Sequence, residues 1–330
     1  TLNEEDEKYL KEVALKTWQF FKDYLTPENN YLIPDNYQED RKEIIVPRTS
    51  STNIGLSMLA VIASYDLGFE DLESTMDRLT NIINVVYELP KWNGHLYNWY
   101  NIKTKQPLIP RYVSTVDSGN LVGYMYTVRA FWDKMYPVQN CPVQNLLTQM
   151  IEETDFSVLY SEEQRLFSIG FNIEENKLTD SYYDLLASEA RQASLVAIAK
   201  KDVPQKHWNN LSRTLTVLKK YKGLISWSGT AFEYLMPNIN IPRYKGSLLD
   251  ESCRFLIINQ IKYSQSLGIP WGISEAAFNL KDLHSNYQYK AFGIPWLGLK
   301  RGLADEMVVA TYGSVLAITD MPKEVVDNLR

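Results

Sequence analysis

Cysteine and histidine are scarce: two Cys and three His occur among 330 residues. Cys141 and Cys253 have no CxxC spacing, and His95, His207 and His284 stand far apart. A structural zinc site needs four such donors at short intervals, so no metal is expected. The two thiols read as reduced core residues, in keeping with a reducing compartment. Basic charge is also short, with 34 Lys and Arg against 40 Asp and Glu, a net charge of −6 and a pI near 5.3. That sign is wrong for a nucleic-acid partner. Apolar runs such as Leu59-Ala60-Val61-Ile62-Ala63 fall far below the roughly 20 residues that cross a bilayer. No signal-like segment opens the chain, so this segment itself is expected to make no membrane contact. Walker loop, GxGxxG, HExxH and nucleophile-elbow patterns are missing, which leaves carboxylates as the carriers of any chemistry and calls for no cofactor.

Aromatic side chains are abundant: 22 Tyr, 11 Phe and 8 Trp. Many sit in loops with Gly, Asn and Pro rather than on helical stripes, notably in residues 90–111, 227–230, 268–275 and 287–296. Trp99, Tyr100, Trp227, Trp271, Tyr287, Tyr289 and Trp296 offer flat apolar faces beside the polar neighbours Asn98, Arg111, Ser228, His284 and Gln288. A sugar presents the same mixture of apolar face and hydroxyl rim.

Apolar periodicity predicts about nine helices, near 4–25, 52–67, 72–89, 117–136, 143–152, 181–200, 229–236, 247–267 and 302–319, with Pro322 opening another. Period-two patterning around Arg165–Ile173 and the Glu175-Asn176 turn predicts a small β-hairpin at 163–178. Helices alternating with long aromatic loops suggest an all-α, α/α toroid whose loops at one end form the site. No repeat, low-complexity linker or internal boundary is visible, so residues 1–330 read as one domain.

Two carboxylates stand out. On a helix over 181–200, Glu189 shares a face with Tyr182, Leu186, Ala193 and Val196 and has no Lys or Arg three or four residues away. Such an inward carboxyl is either held protonated by burial or paired with a buried cation such as Arg254. Glu275 follows Trp271-Gly272-Ile273-Ser274 as if Ser274 capped a new helix, whose positive end would keep the carboxylate ionised. A protonated acid and an ionised nucleophile are what glycosidic cleavage needs. Asp117, Glu233 and the Asp250-Glu251 pair read as structural or hydroxyl-binding groups.

The ordered motifs carry a resemblance. Arg48-Thr49-Ser50, Thr52-Asn53-Ile54-Gly55, Gly94-His95-Leu96-Tyr97-Asn98-Trp99-Tyr100, Arg111-Tyr112-Val113-Ser114-Thr115-Val116-Asp117-Ser118-Gly119-Asn120-Leu121 and Leu185-Leu186-Ala187-Ser188-Glu189-Ala190-Arg191 are joined by Trp227-Ser228-Gly229-Thr230, Phe232-Glu233-Tyr234-Leu235-Met236-Pro237, Pro270-Trp271-Gly272-Ile273-Ser274-Glu275 and Tyr287-Gln288-Tyr289-Lys290-Ala291-Phe292-Gly293. From about residue 5 onward the chain resembles the glucoamylase-like, transglycosylating domain of cyclic β-1,2-glucan synthases. The resemblance implies an (α/α)6 barrel, incomplete here at its C-terminal end, within a larger protein of the bacterial inner membrane, on its cytoplasmic side. That protein would also carry glycosyltransferase and phosphorylase-like domains. The resemblance further implies that Glu189 is the acid/base and Glu275 the nucleophile. Trp99, Tyr100, Arg111, Asp117, Trp227, Glu233, Trp271, His284, Tyr287, Gln288 and Tyr289 are then expected to contact β-1,2-glucan. Two positions depart from the family pattern: Ser51 stands where Pro is usual, and Asn101 where Asp is expected.

The expected activity is a retaining transglycosylation that closes linear β-1,2-glucan into a ring. An inverting endo-β-1,2-glucanase, with carboxylates roughly 6.5–9.5 Å apart instead of about 5–5.5 Å, and a non-catalytic glucan-binding module are the alternatives.

Overall fold

The computed structural model describes residues 2–137 and 141–330. The chain divides into two compact units: Lys11–Tyr183 with Gln192–Trp208, and Thr1–Leu10 with Asp184–Arg191 and Asn209–Arg330.

The larger unit is helical around an apolar core. Helix α1 (Glu4–Tyr24) opens the chain and contributes residues to both units. It is followed by α2 (Ser51–Asp66), α3 (Leu72–Glu88), α4 (Thr115–Met135), α5 (Pro142–Glu153) and α6 (Arg191–Lys200). Caps fix the starts: the side chains of Ser50, Asp71 and Ser114 each accept from a backbone N–H three residues on, satisfying donors that a helix end leaves unpaired. Thr52, in the first turn of α2, donates to Asp117 at 2.6 Å. The core buries Ile54, Met58, Leu79, Ile82, Ile83, Val86, Met125, Val128, Leu147 and Phe156, each burial contributing about 1.5–3 kcal/mol. Helices α4 and α6 approach so closely at Gly119 that a Cβ there would overlap Ala193.

The expected hairpin at 163–178 is present but is part of something larger. Leu166–Ser168 pairs with Tyr160–Ser161 and Tyr182–Tyr183, while Gly170–Asn172 pairs with Lys177–Leu178 and Tyr112–Ser114. The described residues hold six sheets of two or three strands, so the fold is helical but not all-α. Most of these strands are two to four residues long, too short for period-two alternation to register.

The second unit holds α7 (His207–Asn210, shared at its start with the larger unit), α8 (Ala231–Leu235), α9 (Leu248–Leu267), α10 (Thr311–Val315) and α11 (Pro322–Leu329). Two antiparallel hairpins join them, Leu215–Leu218 with Tyr221–Leu224 and Ala276–Lys281 with Tyr287–Lys290. Buried Asp6 receives Lys323 at 3.2 Å and Arg330 at 3.1 Å, and the Tyr9 hydroxyl donates to Leu329 O, so α11 is tied to residues near the N-terminus.

Three predicted helices are corrected. Residues 184–190 form turns, because Ser212 N donates to Asp184 O and Leu186 N to Ser212 O, a parallel bridge that a helix would not permit. The helix expected after Ser274 is the strand Ala276–Lys281, claimed by its cross-strand partner. Of the helix at 302–319 only Thr311–Val315 forms, since Val309 bridges Ile273 and Ala310 N donates to Gly272 O.

Candidate active site

The loop before Glu275 is held by side-chain amides that imitate a neighbouring strand. Gln260 on α9 accepts from Ile273 N at 2.9 Å and donates to Ile273 O at 2.6 Å. Asn328 on α11 accepts from Trp271 N at 2.9 Å and donates to Trp271 O at 2.8 Å. Gly272 between them has φ +127°, a conformation that side chains rarely adopt. Ser274 does not cap a helix of its own: its Oγ accepts from Phe232 N, in the first turn of α8. Each peptide before Glu275 is thereby fixed, which is how a site is preorganised.

Two tyrosines converge on Glu275. The Tyr289 hydroxyl, on the second hairpin, donates to Glu275 Oε2 at 2.7 Å. The Tyr312 hydroxyl, on α10, donates to Glu275 O at 2.6 Å and lies 3.0 Å from Ser274 Oγ. Burial pushes the Glu275 carboxyl up to about 7, against the Tyr289 hydrogen bond, and the nearby Glu233 carboxylate adds to the rise; the Thr230 hydroxyl and Lys300 oppose it. No helix end stabilises the anion here, so the expectation of a carboxylate held ionised by a helix terminus is corrected. Burial, and next to it the charges of Glu275 and Glu189, raise both tyrosine hydroxyls well above the usual phenol range.

Glu189 occupies the turn before α6 and is partly buried. Its alternative partner is also corrected: Arg254 is exposed and pairs with Glu251, whereas the nearby cation is Arg191, which acts on Glu189 electrostatically. Arg191 is 3% exposed. Its guanidinium donates to Ser188 O at 2.9 Å, Glu233 O at 2.7 Å and Tyr234 O at 2.6 Å. It thereby latches the Glu189 turn to the C-terminal carbonyls of α8, where a cation is favoured. Burial lowers its pKa to about 10, so it stays charged at neutral pH. The charges of both Glu189 and Glu275 act on Tyr289 and Tyr312.

The other expected contacts divide. Trp227 and Tyr289 are exposed, at 61% and 65%, and Tyr287 and Gln288 are half-buried on the same hairpin as Tyr289. His284 is exposed in its turn, which Asp282 closes by accepting from His284 N and Asn286 N. Trp271 is buried. Glu233 is buried too, its carboxylate accepting from the Ser226 and Thr230 hydroxyls and from the N–H groups of Ser228 and Thr230 at 2.9–3.0 Å. Asp250 accepts from Gly246 N and Arg243. Glu233 and Asp250 therefore serve the frame.

In the larger unit, Trp99 stacks under Arg48, whose Cζ is 4.2 Å from the ring centre, and Asp35 holds that guanidinium at 3.2 Å. Asp117 is partly exposed beside Thr52. Arg111 is paired with Glu174 at 2.9 Å. Tyr100 is corrected as a sugar contact: it is 0% exposed, and its hydroxyl bonds Pro90 O and Tyr97 N. Asn101 accepts from Lys103 N and Thr104 N, closing a turn. His95 is also structural, buried between Ser118 and Asp155 O and held neutral, its pKa lowered by burial to about 4. Among the described residues no group of three or more His, Cys, Asp or Glu could hold a metal ion, and no helix is long and apolar enough to cross a membrane.

Tyr312, Arg191, Gln260 and Asn328 were not legible as site residues. Only Arg191 carried a signal, its place within the Ser-Glu-Ala-Arg motif.

No family model matches the chain. It is 32% identical, over an alignment 452 positions long, to the cyclic beta-(1,2)-glucan synthase NdvB of Rhizobium meliloti (strain 1021), covering 99% of this chain and 16% of that protein. In structure it matches an endo-beta-1,2-glucanase from Chitinophaga pinensis (TM-score 0.75, 13% identity, 100% of this chain and 82% of that one). It also matches a beta-1,2-glucanase from Parabacteroides distasonis (TM-score 0.79, 14% identity, 100% and 50%) and a glucoamylase-type protein from Bacteroides uniformis ATCC 8492 (TM-score 0.77, 13% identity, 100% and 81%). At these identities the structural likeness establishes the fold class, the glucoamylase-like helical toroid. The resemblance carried by the sequence motifs therefore holds: the chain is a relative of a segment, about one sixth, of cyclic β-1,2-glucan synthase, with a glucoamylase-like fold.

Proposed function

We propose that the chain processes β-1,2-glucan by anomer-retaining glycosyl transfer, closing a linear glucan into a ring. The observation that carries this reading is Glu275 held by the Tyr289 and Tyr312 hydroxyls, with the charge of Glu189 acting on the same two tyrosines, in a chain related to a glucan synthase. Glu189 gives its proton to the glycosidic oxygen as that oxygen leaves C1, and a carboxylate oxygen of Glu275 bonds C1. The 2-hydroxyl at the far end of the same glucan then attacks C1, its proton passing to Glu189 while the Glu275–C1 bond breaks. Two displacements restore the β configuration. Exposed Trp227 and the Tyr287–Tyr289 strand would hold the acceptor so that ring closure outruns water, an effective-concentration advantage. No cofactor enters. The (α/α)6 helix count, the single-domain reading, the neighbouring glycosyltransferase and phosphorylase-like domains, and placement on the cytoplasmic side of a bacterial inner membrane belong to the same proposal.

The mechanism requires Glu275 ionised, so with its pKa near 7 activity should rise with pH through about 7. The same raised value favours a second reading, in which Glu275 is the proton donor of an inverting glucanase. Activity would then fall above about pH 7. Linear β-1,2-glucan incubated with the chain at pH 6, 7 and 8 separates them: cyclic product with rising activity supports transfer. Shortened linear chains with falling activity support hydrolysis, and unchanged substrate a binding module.

A further inference from the structure

The tyrosines at Glu275 have work that a sugar contact does not describe. Tyr289 belongs to a hairpin and Tyr312 to α10, so two separate segments reach the same glutamate. They grip different parts of it: Tyr289 the carboxylate, at 2.7 Å, and Tyr312 the backbone carbonyl, at 2.6 Å. A carboxylate that must attack along one line to C1 gains from having both its backbone and its side-chain torsion fixed. The Tyr289 residue is nevertheless 65% exposed, so its ring is open to substrate while its hydroxyl is engaged. Resting on the proposed reaction, we infer that Tyr289 and Tyr312 are positioning residues for Glu275, Tyr289 orienting the reacting carboxylate and Tyr312 locking the peptide that carries it.

The two hydroxyls differ in their electrostatic consequence. Tyr289 donates to the ionisable oxygen and stabilises the anion, whereas Tyr312 bonds a carbonyl that does not titrate. The other groups acting on Glu275 are Glu233, which disfavours its anion, and Thr230 and Lys300, which favour it; Glu189 lies in the field of the same tyrosines. None is changed by removing a phenolic oxygen. The Tyr289→Phe variant should therefore raise the Glu275 pKa, and Tyr312→Phe should leave it in place.

The test uses the full chain and follows the Glu275 carboxyl by 13C NMR, assigned as the resonance lost in Glu275→Gln, alongside pH profiles on linear β-1,2-glucan. In Tyr289→Phe the carboxyl titration is expected to move up by roughly half to one pH unit, with kcat down roughly tenfold, the scale of one charge-assisted hydrogen bond, and KM nearly unchanged. Tyr289→Ala should repeat the shift and also raise KM. Tyr312→Phe should lower kcat without moving the titration. An unmoved titration in both Tyr289 variants overturns the inference, whether or not turnover is detected. A Glu275→Gln enzyme of near-normal activity would instead overturn the underlying reaction scheme.

Discussion

Glu233 and Glu275 are near neighbours, both largely withdrawn from water and both raised in pKa by burial, yet they are equipped for opposite tasks. Glu233 is the fourth residue of a capping box, and its carboxylate is engaged by two hydroxyls and two backbone N–H groups within residues 226–230. Its hydrogen-bonding capacity is spent on the loop. Glu275 accepts from the Tyr289 hydroxyl, a partner on an exposed hairpin, while Tyr312 holds its carbonyl and Gln260 and Asn328 hold Ile273 and Trp271 before it. Burial alone does not mark a reacting carboxylate. A buried group becomes available when the backbone is rigid and its side-chain partner lies on an exposed hairpin rather than within its own loop.

Substitutions should sharpen that contrast. The largest expected effect is on turnover: Glu275→Gln should lower kcat about 10³-fold or more while the protein still melts cooperatively. A fold lost along with activity would place Glu275 in the frame instead. Glu233→Gln should act on stability, because it replaces an acceptor-only carboxylate with an amide whose NH2 faces donors. A loss of roughly 2–4 kcal/mol by urea unfolding is expected. Unchanged stability would break the comparison from the other side.

A smaller effect follows from linkage. The folded Glu275 titrates near 7 against an ordinary 4.5, so the stability it allows is complete below about pH 4.5 and declines as pH rises through 7. Glu275→Gln, which cannot ionise, should be more stable than the parent by up to about 3 kcal/mol at pH 8, with the difference vanishing near pH 4.5. Thermal melts of both proteins across pH 4–9 check the sign. A gap that widens toward acid would contradict it.

The long helices were legible in the sequence because their apolar periodicity is sustained: α1, α3 and α9 run 17–21 residues and match expectation closely. The acidic turn and the Glu275 loop were misread as helix. In both, the local pattern allows a helix, and distant partners, Ser212 for one and Tyr287–Lys290 for the other, take the backbone hydrogen bonds instead. The identity of the two glutamates was legible from motif, but not their surroundings. Periodicity made Glu189 an inward helical carboxyl, whereas the fold places it in a turn latched by Arg191. Tyr312, Gln260 and Asn328 reach the site through tertiary contacts at separations of 13–57 residues, a range that no local pattern encodes.

The central claim, that Glu275 forms the covalent bond to sugar, is tested most directly by trapping. A 2-deoxy-2-fluoro-β-glucosyl donor with an activated leaving group forms its glycosyl-enzyme faster than it releases it. After incubation with the chain, intact-mass and peptide mass spectrometry should find one fluoroglucosyl adduct on the peptide containing Glu275. An adduct on the Glu189 peptide, or turnover without any adduct and with an α-configured product, would contradict it.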